Sequence, residues 1–250
     1  MVPKKTIQRA GAIFFALALW QFAAMSLDQS MLLVSPLKVL ARLFTIWLEE
    51  GFFSTVWFSF RRIALGFLLG FLLGVLLGIP AGRFSWLETL LWPFVITIKS
   101  VPVASFVIIS LIWLSSGELS VFISFLMVFP VIYSNVLEGI KSTDRRMTEM
   151  AELYGLPFGK RLLYIHTPRL KPFLMSGCSV ALGLSWKSGI AAEVIGIPDG
   201  SMGEMLYESK IYFNTADLFA WTVIIVLISV AFEKLFMKGL KILFRELEKL

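Results

Sequence analysis

The chain has 250 residues, 58% of them hydrophobic and 16% charged, with a formal net charge of +6. A soluble domain carries about 25% charged residues, so an ordinary soluble fold is excluded. The basic residues gather beside apolar runs instead of forming one stripe, which excludes a nucleic-acid surface and fits the positive-inside pattern.

The first predicted span covers residues 10–27, just long enough to cross a bilayer. Lys4, Lys5 and Arg9 precede it as in a signal peptide. Ala23, Ala24, Met25 and Ser26 make a poor cleavage site, so a retained span is expected. Ser35 and Pro36 open a helix reaching about residue 50, with Lys38, Arg42, Thr45 and Glu49 as a narrow polar stripe. That pattern fits a helix in the membrane interface or along its neighbours.

The second span, 52–80, places Gly66, Gly70, Gly74 and Gly78 at every fourth position. Small residues so spaced let two helix backbones approach closely in lipid, and they read as a packing seam. They are not a nucleotide loop, because no strand precedes them and no lysine is placed for phosphate. The third span, 93–114, holds Lys99 and Pro102; the fourth, 119–137, holds Pro130, where a bend is expected. A polar loop occupies 138–171. The fifth span, 172–195, carries Lys187 and Glu193, and the sixth covers 218–236 before a basic amphipathic tail. The chain is thus read as one all-α integral membrane domain, residues 1–250, with six spans.

Six spans place both ends on one side. Sixteen of the 23 Lys and Arg residues then fall there, among them seven in the 138–171 loop, and five fall opposite. The bias puts both ends and the loop in the cytoplasm. Arg61 and Arg62 contradict it, lying at the outer part of the second span.

Within the loop, residues 149–168 read EMAELYGLPFGKRLLYIHTP. Gly155, Leu156 and Pro157 break this amphipathic stretch into two helical pieces, and the second ends before Pro168. Each piece is too short to be stable alone in water. A helix–break–helix of this kind suits a plug awaiting a socket on a partner.

This stretch resembles the EAA signature of ABC-importer permeases: Glu-Ala-Ala, three residues, Gly, nine residues, then Ile-x-Leu-Pro. Here Glu149, Met150 and Ala151 are followed by Gly155 and by Ile165, His166, Thr167 and Pro168. Met150 and Thr167 depart from the pattern, but the glycine and the spacing stay. Ser35-Pro36, Gly51, Ser59-Phe60, Arg62-Ile63 and Gly66 are similar to the nitrate, sulfonate and taurine group. So are Pro102, Ser116-Gly117-Glu118, Trp186 and Ala192-Glu193.

The resemblance implies a type I importer transmembrane fold in a prokaryotic inner membrane. The loop between spans four and five would be a coupling helix docking on a cytosolic ATPase through Glu149, Ala151, Gly155, Leu156, Pro157, Ile165 and Pro168. It also implies a dimer of permeases, expected to be a homodimer, two ATPase subunits, an external solute-binding protein and surrounding lipid. No cofactor is expected on this chain; ATP and magnesium would sit on the partner ATPase.

Intramembrane charges are costly and face cavities or partners. Lys99, Lys187 and Glu193 are therefore candidates for a translocation path, with Ser185 and Trp186 flanking. A cation there suits a small anion of the sulfonate, taurine or nitrate type; a vitamin precursor also stays open. Alternatively these charges only pair between helices. The one cysteine, Cys178, excludes an intrachain disulfide and a cysteine-based metal site. No catalytic constellation and no GxxxxGK[ST] occurs, so an enzyme is not expected. An ion-gradient-driven carrier is the rival reading, and it would be expected to show repeated halves with broken helices.

Overall fold

The computed structural model describes residues 4–27 and 33–247. Eleven α-helices follow one another: α1 (Lys4–Leu27), α2 (Pro36–Ile46), α3 (Phe52–Arg83), α4 (Ser85–Ser100), α5 (Val103–Ser110), α6 (Ser116–Lys141), α7 (Arg145–Leu153), α8 (Phe158–Arg161), α9 (Thr167–Gly196), α10 (Met202–Ile211) and α11 (Thr215–Leu247). A π-helical turn, Leu162–His166, leads into α9. Among the described residues, α3, α6 and α11 are long and apolar enough to cross a membrane, and α4 with α5 makes a fourth candidate as a bent pair. In α1 the apolar stretch is shorter, Phe14–Ser26.

The expected third span is not one helix. α4 and α5 meet at 101° across Val101 and Pro102. Pro102 forces the residue before it out of the helical region, and Val101 is extended at φ −80°, ψ 132°. Pro130 acts otherwise: it lies inside a continuous α6. The basic tail is not separate either, because α11 continues unbroken through it to Leu247.

At the centre, α3 lies against α6 with almost nothing between their backbones. A Cβ added at Gly70 would stand 2.8 Å from the Val128 Cβ, at Gly74 2.8 Å from the Ile132 Cβ, and at Gly78 2.8 Å from the Val136 Cβ. At Gly66 it would be 2.3 Å from the Val121 carbonyl oxygen. The missing side chains thus let Val128, Ile132 and Val136 seat in the notches at Gly70, Gly74 and Gly78, where dispersion contacts accumulate. α9 packs on the other side of α6, and Phe67, Val128, Ile132, Cys178, Ala181 and Leu182 form the shared apolar core. α11 closes this core edge-on, with the Phe67 and Phe236 ring centroids 4.8 Å apart.

At the end of the bundle away from the 142–166 loop, Ser35 caps α2 and Pro36 presets its first turn. Arg42 of α2 holds Asp217 of α11 through two hydrogen bonds and also pairs with Glu49. This fastening ties the amphipathic α2 to the start of α11.

Candidate functional site

Between α6 and α9 the chain builds a small projecting unit. Asp144 caps α7, its Oδ1 accepting the Arg146 N–H at 2.9 Å. The helix ends at Leu153, and Gly155 turns the chain at φ +67°. A Cβ there would meet nothing within 4 Å. Glycine is therefore required by the left-handed backbone alone, not by space. The Leu156 N–H reaches back to the Ala151 carbonyl at 3.0 Å, closing the turn. Pro157 precedes α8, and its carbonyl accepts the Arg161 N–H at 3.1 Å.

The feet of the unit are tied together. Thr143 Oγ1 and His166 Nδ1 lie 2.9 Å apart, joining the end of α6 to the start of α9. Burial first, and then the charges of Arg161 and Arg83, hold the His166 imidazole below its ordinary range. Ala151 is buried and Leu156 and Ile165 are half-buried, while Glu149, Pro157 and Pro168 are exposed. Met147, Met150, Leu153 and Tyr154 are all exposed, Leu153 at 88% and Tyr154 at 79%. A polar segment that turns four large apolar side chains outward marks an interaction surface.

The candidate path residues do not form one site. Lys187 is exposed and lines a groove of about 400 Å³ between α9 and α11, with Trp186, Ile190, Leu206 and Thr222 among its walls. The Trp186 ring is buried against Phe60 and Phe232. Its Nε1 has no hydrogen-bond partner among the described residues. Ser185 faces the opposite way: it is buried, donates to the Leu182 carbonyl at 2.8 Å, and its own carbonyl accepts from Ser124. Glu193 is fully buried and receives the Ser59 hydroxyl at 2.7 Å and the Gly203 N–H at 3.3 Å. Lys99 lies in a different pocket of about 310 Å³ between α4 and α6, where it donates to Ser134 at 2.7 Å.

Comparison with known families decides the wider identity. Residues 66–246 match the family described as binding-protein-dependent transport system inner membrane component. The chain belongs to that family. Among similar permeases, the taurine transport system permease protein TauC of Escherichia coli is 27% identical over 220 residues, covering 86% of this chain and 80% of its own. The putative aliphatic sulfonates transport permease protein SsuC of the same species is 30% identical over 200 residues, covering 79% and 76%. The nitrate import permease protein NrtB of Synechococcus elongatus is 26% identical over 204 residues, covering 77% and 72%.

For this permease, sequence reasoning missed Ser59 and Ser134 as the hydrogen-bond partners of Glu193 and Lys99. Ser59 had a signal: Thr55, Ser59, Ile63 and Phe67 share one buried face of α3 at four-residue spacing, and a hydroxyl on such a face needs a polar partner. Arg62, which opposed the charge bias, lays its guanidinium 4.1 Å from the Phe58 ring centroid and against Gly117. It thereby covers the first turn of α6.

Proposed function

We propose that this permease is the transmembrane subunit of an ATP-driven importer, and that the 142–166 unit is its coupling element. The observation that carries this is the exposed apolar face of α7 beside the Gly155 turn on a chain of this family. Such a face has a use if a cytosolic ATPase offers a groove for it. ATP and magnesium would be held by that subunit, and its closure would drive this chain between inward- and outward-facing states.

The working assembly is two permease copies, two ATPase subunits and an external solute-binding protein. In that reading the chain crosses the membrane six times, with α1, α3, the α4–α5 pair, α6, α9 and α11 as spans and both ends in the cytoplasm. Relatives named for taurine, aliphatic sulfonates and nitrate support a small anionic solute. Lys187 with Trp186, and separately Lys99, are the side chains that would meet it. Glu193 and Ser185 would hold the walls.

The break between α4 and α5 also suits an ion-gradient-driven carrier, in which broken helices bind the coupling ion. One experiment separates the two. The full-length chain is used as bait in mild detergent, with and without a substitution at Gly155. Recovery of an ATPase that is lost with Gly155→Val supports the importer and the docking element together. Sodium- or proton-driven uptake by the purified chain with no ATPase recovered would replace it with the carrier.

A further inference from the structure

The pocket between α4 and α6 is built from groups of both signs. Lys99, in the last turn of α4, has an ammonium that donates to the Ser134 hydroxyl at 2.7 Å. It has no carboxylate within ion-pair distance among the described residues. Beside it, the buried Tyr133 hydroxyl lacks any hydrogen-bond partner among those residues. Three donors thus line one cavity. Two carboxylates, Glu88 and Glu138, line it as well. Glu88 is already engaged by Lys141 at 2.6 Å. Glu138 lies on α6 one helical turn beyond Ser134, is exposed, and makes no ion pair among the described residues.

A cation near the apolar zone demands a counter-group, and a buried hydroxyl demands an acceptor. An oxyacid group satisfies both at once. A simple anion seated there would still face Glu138 with nothing to offset it, whereas an ammonium a few bonds from the acid would complete the pocket. A volume of about 310 Å³ is at the small end for ligand cavities.

We infer that the Lys99–Tyr133–Ser134–Glu138 pocket binds a small zwitterion, its oxyacid on Lys99 and Tyr133 and its ammonium on Glu138. The inference rests on the importer reading and sharpens it: Glu138 becomes a specificity-determining residue that favours amino-acid-like solutes over plain anions. A zwitterionic lipid headgroup shares this chemistry, so the test must tell the two sources apart.

The complex of permease and ATPase is reconstituted into phosphatidylglycerol nanodiscs without a binding protein. Saturation-transfer NMR then compares 2-aminoethanesulfonate with ethanesulfonate, which differ only in the amine. The aminosulfonate is expected to bind more tightly. Glu138→Gln should weaken it about tenfold, as for loss of one charge-assisted contact, and leave ethanesulfonate no weaker. Lys99→Met should weaken both. Equal binding of the two probes, untouched by either substitution, overturns the inference. If phosphatidylethanolamine nanodiscs displace the aminosulfonate, the solute assignment is likewise overturned in favour of the headgroup. An ATPase that co-purifies while the probes ignore both residues leaves the importer reading standing. A complex without ATPase removes that reading, whereas the probe contrast on the permease alone still decides the pocket.

Discussion

Glu193 on α9 and Ser59 on α3, 134 positions apart in the chain, meet at 2.7 Å in a fully buried contact. The Ser59 hydroxyl donates to the carboxyl and itself accepts the Met202 N–H at 2.9 Å, while the Gly203 N–H goes to the same Glu193 oxygen. Ser201 Oγ accepts the Glu204 N–H at 3.0 Å. The first N–H groups of α10, which no helical carbonyl can satisfy, are thus all met, two of them by side chains of other helices. Glu193→Ala should cost roughly 2 kcal/mol by leaving buried donors unmet. Glu193→Gln keeps an acceptor and should cost less. Thermal unfolding in detergent measures both, and a Glu193→Ala midpoint equal to the wild type would refute the latch.

The glycine seam gives an ordering that composition alone would reverse. Ala is better than Gly in a helix by about 1 kcal/mol, so a neutral background favours Gly→Ala. Gly183, where an added Cβ meets nothing within 4 Å, should accept alanine with equal or higher stability. Gly74→Val drives a branched side chain into Ile132 and should lose about 1–3 kcal/mol through overpacking. Size-exclusion profiles and melting midpoints of the two variants provide the check; similar behaviour of both would remove the seam from the account.

At Gly155 the cost is conformational. A φ of +67° costs an ordinary L residue roughly 1–2 kcal/mol, and Asn tolerates it better. Gly155→Val should therefore abolish ATPase recovery, and Gly155→Asn should only reduce it. The melting midpoint of the membrane bundle should stay unchanged in both, because open space surrounds the position. A Gly155→Val chain that captures ATPase at the wild-type level would contradict the role of the turn.

His166 makes the loop sensitive to acid, with a definite sign. Its pKa in the folded loop lies below the ordinary value of 6.5, so on acidification the unfolded chain takes up the proton first. Its contribution to stability is full above that ordinary value and is lost as pH falls through the folded value. Amide exchange across residues 143–166, corrected for intrinsic rates, should rise at least about twofold between roughly pH 7.5 and pH 5.5. His166→Gln should flatten that rise. A rise of equal size in His166→Gln would assign it to another group.

Local signals made the helix–break–helix of 145–161 legible, since Gly155 and Pro157 act on their own backbone and need no distant partner. Long apolar runs marked α3, α6 and α11 for the same reason. The kink at Pro102 was not legible as such. Pro80, Pro93, Pro130 and Pro172 all sit inside continuous helices, because neighbouring helices and side chains accommodate the missing N–H. Only tertiary packing decides which proline breaks. Pairings such as Lys99 with Ser134 were equally hidden: periodicity says which residues share a face, but not which face of which helix lies opposite.

The absence of side chains between α3 and α6 has a mechanical meaning. The notches at Gly70, Gly74, Gly78 and Gly82 each hold one β-branched residue and repeat every four residues, so sliding one helix past the other requires a jump of roughly 6 Å rather than a glide. The 32 residues of α3 make a rod roughly 48 Å long that has no slip against its neighbour. Force applied beside Ile140, where Gly82 seats against α6 next to the loop, arrives at Gly66 as tilt of the whole pair. The seam makes the two helices a lever, and leaves hinging to the joints around it.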